Sequence, residues 1–187
     1  MSTHKVASMN GINVDQLHQT LESLKLTPEL GRFQFRARNE WMDGGHCRTH
    51  IKSFYGAGAE DESRTEEWIF DADEPPVLLG ENRGANPVEY ALVALSSCLT
   101  TTMVVYAAAE GIKLHRLESE LEGDMDVRGF TGVSTDVRRG YENIRVTVHI
   151  EADAPREKLE HLVEMGKAYS PVFDIVSNPT PVEVRLA

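Results

Sequence analysis

Residues 85–111 read ANPVEYALVALSSCLTTTMVVYAAAEG, and this stretch decides the fold. Asn86 is a good N-cap and Pro87 stands at the first helical position, where its missing N–H costs nothing. Glu89 falls in the first turn, where it suits the helix dipole, and Gly111 is a natural terminator. A helix of about 24 residues, ~36 Å at ~1.5 Å per residue, is therefore expected. Between Glu89 and Glu110 lie 20 residues without a charge. A membrane span could have that length. Five of the 20 are Ser or Thr, however, many others are Ala, and no Lys or Arg cluster flanks either end. The segment reads as a buried helix of a soluble protein. A surface helix keeps one polar face, and this one has none. One small sheet covers only one side of a helix, so a second copy of the chain is expected to cover the rest, as an intimate homodimer.

Working outward, Asn13 can cap a short amphipathic helix with Leu17, Leu21 and Leu24 on one face, ending near Thr27-Pro28. Residues 1–11 read as loosely attached. Phe33, Phe35 and Ala37 alternate with polar neighbours as a half-buried strand does. Asp43-Gly44-Gly45 is a turn, 46–55 the returning strand, 56–66 an acidic loop, Trp68–Phe70 a third strand and 71–85 another loop. After the long helix, Leu117, Leu121 and Met125 share one strand face. Residues 126–140 form a loop, and Ile144, Val146, Val148 and Ile150 line the next strand. A second helix starts at Pro155 with Leu159, Leu162 and Val163 inward and ends near Ser170-Pro171; Val182, Val184 and Leu186 mark a last strand. The order is helix, three strands, long helix, two strands, helix, strand. That is an α+β fold with an antiparallel-rich sheet on a long central helix. Residues 1–30 form an N-terminal extension and 31–187 a single domain.

Composition narrows the function. Hydrophobic residues at 41% and charged residues at 26% are ordinary for a soluble globular protein. With 30 acidic against 19 basic residues the net charge is −11, and no basic stripe is present, which argues against a nucleic-acid partner. The opening MSTHKVASMNGINVDQ has no apolar targeting segment, and two cysteines, Cys47 and Cys98, make no disulfide framework. A cytoplasmic protein with reduced thiols, and no membrane partner, is expected. His46 and His50 lie four apart on a strand, ~13 Å, too far to share one metal ion. Asp124-Met125-Asp126 fails as a calcium loop, because Arg128 and Thr135 stand at ligand places. Gly56-Ala57-Gly58 lacks the strand and helix that frame a nucleotide fingerprint. No metal and no cofactor is expected.

Three stretches resemble the OsmC/Ohr family of thiol-dependent organic peroxide reductases: GANPVEYALVALSSC (84–98), GYENIRVTVHIEADAP (140–155) and SPVFDIVSNPTPVEVRL (170–186). With the N-terminal strands, the resemblance covers about residues 32–187. It implies an intertwined dimer, with two sheets wrapped around paired long helices. It also implies a helical cysteine that attacks the peroxide O–O bond. A second cysteine then condenses with the sulfenic acid, and an Arg and a Glu hold the thiolate site. Carried over residue by residue, Cys98 matches the attacking cysteine and Arg48 the arginine. The second cysteine's place holds Ser170. The Glu place holds Val88, with Glu89 one position later and about 100° around the helix.

The chemistry follows. A cysteine nucleophile reacts as thiolate, and mid-helix Cys98 needs a cation to favour that form, for which Arg48 is the candidate. With no such cation, Cys98 is a small hydrophobe of the core. Ser170 makes no disulfide, so the cycle needs an external thiol. Cys47 and Arg48 point to opposite strand faces, so Cys47 is a poor resolving cysteine. Two readings are expected to compete: a one-cysteine hydroperoxide reductase built on Cys98, Arg48 and Glu89, and a non-catalytic binder of a small hydrophobic ligand. The helix at 13–27 is a further candidate for partner binding.

Overall fold

The structure, a computed structural model, describes residues 8–187. It has two compact units: residues 8–14 with 91–187, and Asp15–Tyr90.

In the first unit, β1 (Ser8–Met9) and β2 (Ile12–Asn13) form a minimal hairpin. Its turn residues Asn10 and Gly11 both have positive φ, the geometry that Asn-Gly adopts most readily. The Asn10 side chain donates to the Ile112 carbonyl at 2.8 Å and accepts from the Leu114 N–H at 2.9 Å. Residues 8–11, expected to be loose, are therefore pinned; the rest of that expectation, 1–7, lies outside the described residues.

Helix α2 (Pro87–Ala109) runs to within two residues of the expected end, and Gly111 takes the left-handed conformation that terminates it. Four of its five buried residues, Leu95, Leu99, Met103 and Ala107, recur every four positions, one stripe on one face; Ala108 is the fifth. Over that stripe lies the antiparallel hairpin of β8 (Leu114–Asp124) and β9 (Asn143–Ala152). Leu117, Leu121, Ile144, Val146, Val148 and Ile150 pack on Leu95, Leu99 and Met103, as the alternation predicts. An irregularity between Leu114 and Arg116 resets the alternation at the start of β8. Helix α4 (Arg156–Tyr169) adds Leu162 to a second cluster with Ala107 and Ile112. It approaches α2 at Gly166, where a Cβ would come within 2.9 Å of the Met103 side chain. The loop 126–140 holds one short helix, α3 (Val127–Phe130), capped by Asp126.

Two expected strands do not form. Residues 178–187 contain no strand, and Val182, Val184 and Leu186 stand 80%, 91% and 102% exposed. Helix α5 (Pro171–Ser177) precedes them, and no described strand pairs with them. Alternation records which side each residue faces but does not provide the partner backbone that a strand requires. The same holds at 33–37, where Gln34 and Tyr55 make one isolated bridge. Phe33 and Phe35 instead stack with Phe54, with ring centroids 5.3–6.2 Å apart.

In the second unit, α1 (Val14–Leu26) follows Asn13 as expected, but no residue of it is buried. Strands β3 (Arg38–Asp43), β4 (His46–Ile51) and β7 (Trp68–Ala72) form an antiparallel sheet in the order β3-β4-β7. The expected return strand 46–55 breaks after Ile51. Its remainder, β5 (Phe54–Gly56), pairs with β6 (Ala59–Asp61) inside the expected loop.

Candidate functional site

Cys98 lies on α2, half-buried, at the edge of the Leu95–Leu99–Met103 stripe. Next to it, Val93, Ala94, Ser97 and Thr101 are exposed. The hydroxyls on this helix turn onto its own carbonyls: Ser96 onto Val93 at 3.0 Å, Thr101 onto Ser97 at 3.0 Å, Thr102 onto Cys98 at 2.8 Å. Their hydrogen-bonding capacity is thus spent locally, and they present methyl and methylene groups outward. These three hydroxyls therefore add little polarity to the helix surface.

Ser170 is 2% exposed and is the N-cap of α5, its hydroxyl accepting from the Phe173 N–H at 3.1 Å. That local role explains its burial among apolar neighbours. Replacing Ser170 by alanine is expected to lower stability by about 1 kcal/mol, the usual value of such a cap, measured by urea unfolding.

In the second unit, the segment leading into α2 is held by close backbone packing. A Cβ on Gly84 would stand 2.0 Å from the Asp71 carbonyl oxygen, and the neighbouring Ala85 bridges Ala72. Asn86 and Glu89 then form a reciprocal capping box. The Asn86 side chain accepts from the Val88 N–H at 2.9 Å, and Glu89 accepts from the Asn86 N–H at 2.8 Å. The Glu89 carboxylate is thus engaged at the helix start. Asp73, 2% exposed, accepts from the backbone N–H groups of Glu74, Glu81 and Arg83 at 2.8–3.1 Å and ties down the loop before Gly84. Burial alone would raise its pKa; those three hydrogen bonds, with the Arg83 charge, outweigh burial and hold it below the usual carboxylate range.

The β3-β4-β7 sheet separates two chemistries. On one face, Arg48 grips Asp71 with Nε and Nη2 at 2.9 and 3.1 Å, and His46 joins the same carboxylate at 2.8 Å. Hydrogen bonds from Arg48 and then His46 hold Asp71 down to about 2. Both His50 ring nitrogens meet carboxylates, Glu67 at 2.8 Å and Glu40 at 3.2 Å. On the other face, Cys47 lines an apolar cavity of about 440 Å³ with Thr49, Ile51, Phe70 and Tyr90. The Tyr90 hydroxyl donates to the Asp71 carbonyl at 2.7 Å. Trp41 and Trp68, whose register places them on this face, are 73% and 60% exposed. Cys47 and Arg48 thus face apart, as strand alternation requires. Sequence reasoning missed Asp71 and Asp73, because acidic residues in an expected loop carry no local sign of such partners, and Tyr90, because its hydroxyl reaches a carbonyl 19 positions away in another element.

The comparisons with known proteins fit this geometry. A family model for OsmC-like proteins matches residues 80–185, from the Gly84 approach through α2, the β8–β9 hairpin and Ser170. No curated protein matches the chain. An OsmC-like protein from Mycoplasma pneumoniae is similar in structure, with a TM-score of 0.57 at 14% identity over 78% of this chain and 89% of that one. The organic hydroperoxide resistance protein OsmC from Legionella pneumophila gives 0.50 at 16% identity, over 76% and 88%. An OsmC-like protein of unknown function from Vibrio cholerae gives 0.50 at 13%, over 79% and 94%. At these identities the structural likeness speaks for the fold, and the family match covers more than half of the chain: it belongs to the OsmC/Ohr family of OsmC-like proteins.

Proposed function

We propose that the protein is a one-cysteine, thiol-dependent organic hydroperoxide reductase. The observation that carries the reading is Cys98: half-buried on α2, inside the family-matched region and beside an exposed apolar surface. The Cys98 thiolate attacks one oxygen of the hydroperoxide. An S–O bond forms, the O–O bond breaks, and the alcohol leaves after taking up a proton. An external thiol then attacks the Cys98 sulfenic acid, releasing water and forming a mixed disulfide. A second thiol frees Cys98 and leaves as the oxidised disulfide. Ser170 takes no part in this cycle and serves as the α5 cap. Arg48 is the candidate cation for the thiolate. Asp71 holds its Nε–Nη2 edge, and Nη1 makes no hydrogen bond among the described residues. Glu89 acts from the helix start as a positioning residue. The assay that tests the reading is cumene hydroperoxide consumption with dithiothreitol as the external thiol. Saturable turnover supports it, and a rate equal to buffer with dithiothreitol sinks it.

The working form is a homodimer. Two surfaces support this: the α2 face of Val93, Ala94, Ser97 and Thr101, and the sheet face of Trp41, Trp68 and Phe70. Exposed apolar patches of this kind mark association surfaces. Sedimentation is expected to give twice the chain mass at micromolar concentration; a monomer at that concentration would refute the dimer.

A further inference from the structure

The first unit contains a second cavity, of about 380 Å³, whose lining includes neither Cys98 nor the exposed residues of the α2 and sheet faces named above. Leu95, Ile144, Val146, Phe173 and Val176 make its wall, and Arg138 stands on its lip. Its volume lies at the small end of the ~300–1,000 Å³ that ligand pockets span. The charge pattern around it is unusual for this chain. The net charge is −11, and most arginines pair with carboxylates, including Arg128 with Asp126 and Arg145 with Asp124. Arg138 and the adjacent Arg139 are exposed and make no ion pair among the described residues. The carboxylate on the same lip, Glu142, lies in the field of Arg128. An apolar wall with an unpaired guanidinium at its mouth suits one kind of ligand, an apolar chain that ends in an anion.

The geometry points to a binding site for a medium-chain amphipathic carboxylate, with its chain against Val146 and Phe173 and its carboxylate on Arg138. This site does not depend on Cys98 reacting. An uncharged chain of the same length lacks the guanidinium contact and binds more weakly.

Isothermal titration of the full-length protein with decanoate, and separately with decanol, tests the assignment. One saturable decanoate site per chain is expected, with decanol weaker. Arg138→Gln is expected to weaken decanoate about tenfold and leave decanol unchanged. Arg32→Gln removes another arginine that makes no ion pair among the described residues and controls for general charge; it should change neither. Val146→Trp should fill the cavity and abolish binding of both. To separate cavity filling from a loss of folding, its circular dichroism melt is compared with wild type, and the Arg138→Gln result decides alone if the melt differs. Equal binding of decanoate and decanol, an unchanged decanoate affinity in Arg138→Gln, or the same loss in Arg32→Gln overturns the assignment.

Discussion

Replacing Cys98 by serine is expected to bring hydroperoxide consumption down to the rate of the external thiol in buffer, while Cys47→Ser keeps turnover near wild type. The chain has only these two cysteines. Cys47 lines an apolar cavity on the sheet face opposite Arg48, with no Lys or Arg among the lining residues. A hydroxyl at position 98 is a far weaker nucleophile than a thiolate at neutral pH. The single-cysteine cycle has a second consequence. With Ser170 buried as a cap, no internal thiol removes the sulfenic acid. Excess peroxide without external thiol should therefore drive Cys98 on to sulfinic acid, with activity lost and not restored by dithiothreitol. Non-reducing electrophoresis should show no internal disulfide at any stage. Full activity in Cys98→Ser would remove the nucleophile from the account.

A large loss of stability is expected from Gly84→Ala. The added Cβ would stand 2.0 Å from the Asp71 carbonyl oxygen and 2.4 Å from its carbon. Both partners are backbone, and the same Asp71 carbonyl accepts from the Tyr90 hydroxyl. The strand end at Ala72 and the bridge to Ala85 must therefore separate. The cost is about 3 kcal/mol or more, at the upper end for overpacking, because no flexible side chain can yield. Urea unfolding measures it. Gly132→Ala, where nothing lies within 4 Å of the added Cβ, tests for a clash-free glycine; its positive φ should still cost about 1 kcal/mol. Equal losses in the two variants would show that the close approach at Gly84 carries no special weight.

How far the sequence could be read depended on whether the signal was local. Helix α2 was legible because its start is written in consecutive residues, Asn86, Pro87 and Glu89, and its end in Gly111. The β8–β9 hairpin was legible because Leu117, Leu121 and Ile144 to Ile150 alternate toward one buried stripe. The segments around Phe33 and Val182 carry the same alternation but find no paired strand among the described residues, so the pattern overstated them. Cys98 and Ser170 were legible as candidates from their motifs. The Arg48–Asp71–His46 cluster was not, because it joins residues 23 and 25 positions apart across strand register. Glu89 was legible as a first-turn carboxylate, and it accepts there from the Asn86 N–H.

The central claim is that Cys98 reacts with an organic hydroperoxide. Mass spectrometry of the reduced protein after one equivalent of cumene hydroperoxide in the presence of dimedone tests it directly. The account predicts a dimedone adduct on the peptide containing Cys98, close to one per chain, with Cys47 unmodified. An unmodified Cys98 with the hydroperoxide still intact would contradict it.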